Sequence, residues 1–172
     1  VYLGDLGAKS EADGAMGTLL FARGIGFDQC FDALNRTQPE LIESIHREYL
    51  LAGAELIETN SFGANPMRLA AHGLEHETRV IARQGVRIAR AAREVVGVNA
   101  LVAGSMGPLG KPLEPFGAIT PAQAEECFRV AAEGLLEGGC DALILETFQD
   151  LNEMLAALRA IRSVTVSLPV IA

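Results

Sequence analysis

Glutamate side chains follow two apolar segments of the sequence at equivalent positions. Leu56-Ile57 runs directly into Glu58-Thr59, and Leu143-Ile144-Leu145 runs directly into Glu146-Thr147. A carboxylate at the end of a buried strand can bind a substrate ammonium group or act as a general acid or base. The repeat therefore predicts that both glutamates contribute to one site.

Other polar residues stand at comparable places in the sequence. Asp13 is followed by Gly14 and Gly17, which suggests a tight loop that holds a carboxylate beside exposed backbone N–H groups, a suitable cradle for a zwitterionic amino acid. The same Asp-Gly pair also occurs in ordinary turns, so this pattern alone leaves both interpretations open. The candidate substrate-binding residues are Asp13, Gly14, Glu58, Asn60, Ser105 and Glu146.

Predicted strands and helices alternate along the chain around these residues. Apolar runs predict strands over 54–58, 100–103, 141–146 and 168–172, and helical spacing predicts helices over 39–53, 120–139 and 151–161, with one or two more within 65–96. Capping-box patterns are present at 37–40 and 120–123. Nearly continuous apolar strands that alternate with helices predict a parallel sheet covered by helices.

Two parallel architectures compete, an open doubly wound sheet and a closed (β/α)8 TIM barrel. Glu58 and Glu146 are 88 residues apart, which corresponds to two βα units of about 44 residues each with one strand between them. Polar residues at the ends of alternate strands are typical of the active-site face of a barrel. The glycine-rich phosphate turn of a doubly wound sheet is absent from the sequence. The pattern favours the barrel, of which this chain would supply about the first five strands.

The composition excludes several classes of function. Of the 172 residues 49% are hydrophobic and 21% are charged, the net charge is −8 and the pI is about 4.9, so phosphate-backbone binding to nucleic acid is not expected. No apolar run reaches the roughly 18 residues that a membrane-spanning helix needs, and the N-terminal residues do not resemble a secretory leader. We therefore expect a cytoplasmic protein without membrane contact.

The cysteines, histidines and arginines are interpreted as structural or solvated residues and not as parts of a site. Cys30, Cys127 and Cys140 lack the spacing of a metal knuckle and are expected to be reduced, partly buried thiols. His46, His72 and His76 are expected to be solvated, because none follows a strand. Five arginines recur at helical spacing and predict an outer face paired with nearby acids: Arg79, Arg83, Arg87, Arg90 and Arg93.

Four ordered motifs carry a resemblance to a known family: D-G-A-M-G-T, I-E-T-N-S-F-G-A-N, G-S-M-G-P-L-G and L-I-L-E-T-F. In this order and spacing they resemble the homocysteine S-methyltransferase domain, the first module of cobalamin-dependent methionine synthase. The stretch FARGIGFDQCFDALN is most similar to the variant fused to methylenetetrahydrofolate reductase. The resemblance extends from Asp13 to Ala172. It departs at G-A-K-S-E-A, where the family has an apolar strand before Asp13, so the first strand is expected to be disordered, altered or displaced to residues 1–3.

The resemblance implies an enzyme that transfers a methyl group to the thiol of homocysteine and forms methionine. In the family, Zn²⁺ held by three cysteine thiolates activates the substrate thiol. Its ligands lie in G-x-N-C and G-G-C-C-G motifs, and neither occurs in these 172 residues, so the ligands are expected outside this segment. By the resemblance, Asp13 and Glu146 would pair with the substrate ammonium or order its surroundings, while Asn60, Ser105 and nearby backbone groups would line the floor. The methyl donor stays open, with methylfolate and methylcobalamin among the possibilities.

The domain organisation follows from the strand count. Residues 1–172 are interpreted as the N-terminal part of a single homocysteine-binding barrel domain, with the remainder expected after Ala172. An unpaired edge at 168–172 would recruit a second copy or the rest of the polypeptide. Two alternatives stay open: a different barrel enzyme that uses Glu58 and Glu146 as acid and base, and a non-catalytic half-barrel fragment.

Overall fold

A computed structural model describes residue 12 and residues 16–172. Its centre is a parallel sheet with the strand order β1-β2-β3-β4. The strands are β1 (Leu56–Glu58), β2 (Leu101–Met106), β3 (Ala142–Leu145) and β4 (Val170–Ile171). Ala12 forms an isolated parallel bridge with Leu56 at the open side of β1. The strand expected before Asp13 otherwise lies outside the described residues.

Helices precede or follow each strand. They are α1 (Met16–Ala22), α2 (Leu34–Thr37), α3 (Pro39–Leu51), α4 (Pro66–Leu69), α5 (Thr78–Val96), α6 (Pro121–Gly138) and α7 (Leu151–Val164), with 3-10 helices at Ala70–His72 and Glu75–Glu77. The prediction of an α/β fold with a parallel sheet is confirmed. Each strand pairs with its successor in the sequence, whereas a doubly wound sheet reverses its strand order at a switch point.

The core lies between the sheet and the helices α5, α6 and α7. Ile57, Val102 and Leu143 fill it from the sheet and are fully buried. Helices α5 and α6 approach closely, since a Cβ at Gly134 would lie 2.5 Å from the carbonyl oxygen of Arg79. This close approach fixes the helical layer beneath the strands, and with it the positions of the strand ends.

The two predicted capping boxes have different outcomes. Thr120 accepts a hydrogen bond from the backbone N–H of Gln123, whose side chain accepts one from the N–H of Thr120. At the other position the prediction is wrong, because Thr37 ends α2 and donates its hydroxyl to the carbonyl of Ala33. Helix α3 begins at Pro39 without a side-chain cap.

The interpretation of the histidines is wrong for His46, which is fully buried in α3. Neither ring nitrogen has a hydrogen-bond partner, and burial lowers the pKa of His46 to about 4. His72 and His76 are exposed, as expected. His46 is buried because its face of α3 also carries Ile42, Ile45 and Leu50, all of which are buried.

The arginine face of α5 is paired with acids at several positions. Arg79 and Arg83 bind Glu137 of α6, and Arg93 binds Asp141. Arg90 instead donates to the carbonyls of Gly138 and Gly139. None of the helices in the described ranges is long and apolar enough to cross a membrane.

Candidate functional site

A cleft of about 990 Å³ opens at the carboxyl ends of the first three strands. Glu58 ends β1, Ser105 is the penultimate residue of β2, and Glu146 directly follows β3. These three residues and Asn60 all line the cleft. The structure therefore brings together four of the six predicted site residues. Asp13 and Gly14 lie outside the described residues.

The carboxylate of Glu146 is held by the neighbouring strand. The hydroxyl of Ser105 donates to Oε1 of Glu146 across 2.5 Å. The backbone N–H of Glu146 donates to the carbonyl of Met106 across 3.2 Å. The side chain is half-buried at the wall of the cleft. Ser105 binds only one of the two carboxylate oxygens. The other, Oε2, lies at the cleft, 3.5 Å from the hydroxyl of Thr147.

Thr147 follows with a strained backbone. Its φ of 61° lies in the left-handed region, and no other described non-glycine residue has a positive φ. This conformation is uncommon for a β-branched residue and costs of order 1–3 kcal/mol. Such strain clusters at functional sites, where the surrounding structure enforces it.

The end of β1 is closed by buried hydroxyl groups. Thr59 Oγ1 accepts the backbone N–H of Ser105 across 3.0 Å and lies 2.6 Å from Ser61 Oγ, which donates to the carbonyl of Ser105 across 2.7 Å. The two side chains replace backbone groups where the strands β1 and β2 diverge. Glu58 precedes this network and is half-buried, with Ala103 as its neighbour in register.

Asn60 connects the strand end to the segment before α3. Its side-chain amide donates to the backbone carbonyl of Phe31 across 2.8 Å and to Asn35 Oδ1 across 3.1 Å. The backbone carbonyl of Asn60 accepts from the side-chain amide of Asn35 across 2.6 Å. Both N–H bonds of the Asn60 amide are therefore used inside the protein. This side chain positions the wall of the cleft around residue 31.

The sequence analysis missed Asp32, which also lines the cleft. Its Oδ1 accepts the backbone N–H of Gly63 across 2.9 Å. Burial raises the pKa of Asp32 to about 6, and the hydrogen bond from Gly63 and the charge of Arg68 oppose this shift. No motif marks Asp32, because its environment is formed by a loop 31 residues further along the chain.

Arg68 and Lys111 are the second group that sequence reasoning missed. Arg68 Nε donates to the carbonyl of Pro108 across 2.8 Å, and its guanidinium carbon lies 5.2 Å from the ring centroid of Phe62. Both cations line the cleft. The only available signal was a basic residue within the N-P-M-R-L segment that follows the polar end of β1.

The three thiols do not form a zinc site. Cys127 and Cys140 are buried in the apolar core, where desolvation raises the pKa of both, to about 11 for Cys140. Cys30 lines the cleft, and burial raises its pKa as well. A zinc ligand must be a thiolate, which these environments disfavour. Within the described ranges, no three His, Cys, Asp or Glu residues are close enough together to hold a metal.

A parallel α/β fold with its cleft at the carboxyl ends of the strands defines a class of ligand-binding proteins, mostly enzymes. The sequence profile of the family described as Homocysteine S-methyltransferase matches residues 12–172. The chain therefore belongs to the homocysteine S-methyltransferase family, a family of methyltransferases.

Individual relatives agree with this assignment. The chain is 39% identical over 154 residues to the methionine synthase of Mycobacterium tuberculosis, a match that covers 84% of this chain and 13% of that protein. It is 36% identical over 157 residues to the homocysteine S-methyltransferase of Escherichia coli, with coverage of 83% and 51%. The chain thus spans about half the length, or less, of these curated relatives.

Solved structures show the same fold. The metallated form of the homocysteine methyltransferase MmuM from Escherichia coli matches with a TM-score of 0.81 at 30% identity, covering 94% of this chain and 62% of that one. Its oxidized form matches with a TM-score of 0.80 at 30% identity, with coverage of 92% and 59%.

Proposed function

We propose that this chain forms the amino-acid-binding part of an enzyme that transfers a methyl group to the thiol of homocysteine, giving methionine. The observation that carries the proposal is the convergence of Glu58, Ser105 and Glu146 on one cleft in a chain whose family match covers residues 12–172. The names of the relatives from Mycobacterium tuberculosis and Escherichia coli support the same substrate and product.

In this proposal Glu146 binds the substrate ammonium. Ser105 fixes one carboxylate oxygen at 2.5 Å, so the carboxylate is oriented before substrate arrives and loses little freedom on binding. Glu58 adds a second negative charge to the cleft, and Asp13 and Gly14, which precede α1 in the sequence, would complete the pocket. Asn60 positions the wall of the cleft, because its side-chain amide binds the carbonyl of Phe31.

In this proposal the zinc ligands lie outside this segment, and the identity of the methyl donor stays open. The thiols of this chain are in environments that disfavour thiolates, so the three cysteine ligands would be contributed by residues outside this segment. Zinc supplies activation of the homocysteine thiol when it is bound. Methylfolate and methylcobalamin both stay candidates for the donor, because no described residue distinguishes between them.

We also propose that the sheet is part of a (β/α)8 barrel, with residues 1–172 as the N-terminal part of that domain. The sequential strand order and the likeness to MmuM support this. In a barrel the edge of β4 would pair with a further strand of the same polypeptide, or with a second copy when that strand is missing. Sedimentation of the 18.2 kDa chain tests the edge, since a stable monomer would contradict it.

The alternatives receive less support. A different barrel enzyme with Glu58 and Glu146 as acid and base does not agree with the family match. A non-catalytic half-barrel would bind homocysteine weakly or not at all, which a homocysteine titration detects.

The decisive experiment is a homocysteine titration and metal analysis of the full-length protein. We expect Glu146→Gln to weaken homocysteine binding about 10- to 150-fold, because a charge-assisted hydrogen bond is worth about 1.5–3 kcal/mol. Zinc content should be unchanged. Glu94→Gln, at an exposed position of α5, is the matched control and should bind homocysteine as the wild type does.

Two results would contradict the proposal. Unchanged homocysteine affinity in Glu146→Gln would remove the role assigned to this carboxylate. Loss of zinc from a folded Cys30→Ser, Cys127→Ser or Cys140→Ser protein would show that the metal ligands lie within this segment.

A further inference from the structure

Arg68 carries a positive charge into the cleft without forming an ion pair in the described part of the chain. The side chain is half-buried, and the described ion pairs involve other cations. Of the five N–H donors of the guanidinium, only the one at Nε has an acceptor among the described residues, the carbonyl of Pro108 at 2.8 Å. The four terminal N–H groups stay available for a ligand.

Packing holds the guanidinium in place. It lies over the ring of Phe62, with 5.2 Å between its central carbon and the ring centroid. On the other side, a Cβ at Gly110 would lie 3.3 Å from its Nε, and Gly110 has a φ of 77° that only glycine adopts readily. Arg68 is therefore oriented before any ligand binds, which reduces the entropy cost of binding.

Lys111 brings a second positive charge to the same corner. It directly follows Gly110, which contacts Arg68, and it lines the same cleft. The side chain is exposed, and none of the ion pairs among the described residues involves it. Two cationic side chains that line one cleft, neither in a described ion pair, favour an anion as ligand.

The nearby acids are engaged by backbone groups. Asp32 accepts the N–H of Gly63 at 2.9 Å, and Glu153 accepts the N–H of Leu109 at 2.6 Å. Arg68 acts on both through space and lowers their pKa against the stronger effect of burial. Neither acid forms an ion pair with Arg68, so the guanidinium is not neutralised by direct contact.

The chemistry of the corner fits a carboxylate better than a phosphate. A planar guanidinium matches the two oxygens of a carboxylate. Phosphate sites usually add several free backbone N–H groups, but here the N–H of Gly107 donates to the carbonyl of Phe62 and that of Leu109 to Glu153. A dianion would also be repelled by the carboxylates elsewhere in the cleft.

We propose that Arg68 and Lys111 form a carboxylate-binding corner of the cleft. This inference rests on the proposed function, in which two substrates can supply the carboxylate: homocysteine through its α-carboxylate, or a methyl donor such as 5-methyltetrahydrofolate through its glutamate. In either case the corner selects substrates that carry a carboxylate, while Glu146 selects for the ammonium group.

The test compares homocysteine with 3-aminopropanethiol, the same molecule without its carboxylate, in calorimetric titrations of the full-length protein. If homocysteine supplies the carboxylate, Arg68→Gln lowers homocysteine affinity about 10- to 100-fold and leaves 3-aminopropanethiol affinity within about twofold. Arg68→Lys, which keeps the charge but loses the planar fork, should be intermediate. Lys111→Gln should lower homocysteine affinity about two- to fivefold, as expected for an exposed charge.

The second arm titrates 5-methyltetrahydrofolate into protein saturated with homocysteine. If the donor supplies the carboxylate, Arg68→Gln weakens methylfolate binding and leaves homocysteine affinity unchanged. Arg87→Gln, an exposed arginine of α5 outside the cleft, is the control and should change neither titration.

The proposal is overturned if folded Arg68→Gln and Lys111→Gln proteins bind all three ligands as the wild type does. Lys111→Gln keeps this outcome accessible if Arg68→Gln disturbs the loop around Pro108. A wild-type protein that binds neither thiol contradicts the proposed function instead, so the two failures are distinguishable.

Discussion

The ends of β1 and β3 carry the same Glu-Thr pair and solve different structural problems. At β1, Thr59 is buried and continues the hydrogen bonding of the sheet through its hydroxyl, which accepts the N–H of Ser105. At β3, Thr147 is exposed and has a left-handed backbone with a φ of 61°. One strand end is closed by side-chain hydrogen bonds, and the other is open and strained.

The same Glu-Thr sequence therefore serves two different structural roles. The closed end of β1 fixes the cleft wall through Thr59, Ser61 and Asn60. The strained turn after β3 directs Glu146 toward Ser105 at the open cleft. The glutamates are thus comparable in position, while the threonines are comparable only in sequence.

The largest expected effect comes from the same substitution at both threonines. Thr59→Val keeps the shape but leaves the buried N–H of Ser105 and the hydroxyl of Ser61 without this partner. This should cost about 2–6 kcal/mol of unfolding free energy, at about 1–3 kcal/mol per group. Thr147→Val should stay within about 0.5 kcal/mol, because the site is exposed. Urea denaturation of both variants measures the difference, and equal losses would remove the distinction between the two ends.

A smaller effect concerns two titratable groups, the fully buried His46 and the half-buried Asp32 at the cleft. The unfolded chain protonates His46 near its ordinary pKa of 6.5, but the folded chain does so only at about 4, so His46 reduces stability as the pH falls. Asp32 has a folded pKa of about 6 against an ordinary 3.8, so its contribution is lost as the pH rises. Over pH 4.5–6 each contribution changes by about 1–2 kcal/mol, with opposite signs.

Variants separate these two contributions. We expect Asp32→Asn to make the unfolding free energy rise with pH over this range by about 1–2 kcal/mol more than in the wild type. His46→Leu should make it fall by a similar amount relative to the wild type. Denaturant titrations at pH 4.5 and 6 measure both slopes, and two variants with the slope of the wild type would show that neither group titrates as described.

The smallest effect is expected from glycine at the strained turn. Thr147→Gly relieves about 1–2 kcal/mol of left-handed strain and costs about 0.4–1 kcal/mol through the more flexible unfolded chain, so stability should rise by up to about 1.6 kcal/mol. Thr59→Gly, by contrast, should be strongly destabilising, because it removes buried hydrogen bonds. A clear loss of stability in Thr147→Gly would show that the turn is not strained.

The local sequence predicted features that depend on nearby residues. The alternation of apolar strands and amphipathic helices predicted the parallel sheet, and Thr120 and Gln123 predicted their capping box because both partners lie within one helical turn. Glu58, Ser105 and Glu146 were predicted to meet because parallel strands end at the same edge of a sheet. Thr37 failed as a cap, since the chain before α3 is already helical there.

The fold class, the family motifs and the strand ends that form the cleft follow from the amino-acid sequence alone. Long-range packing makes Thr59 buried and Thr147 strained, places His46 in the core, and brings Arg68 and Lys111 to the cleft. The physical reason is that burial and hydrogen-bond partners are set by segments distant in sequence: Thr59 meets Ser105 46 positions away, and Arg68 meets Pro108 40 positions away. A local pattern specifies what a residue can do, and packing determines which of its possible partners it meets.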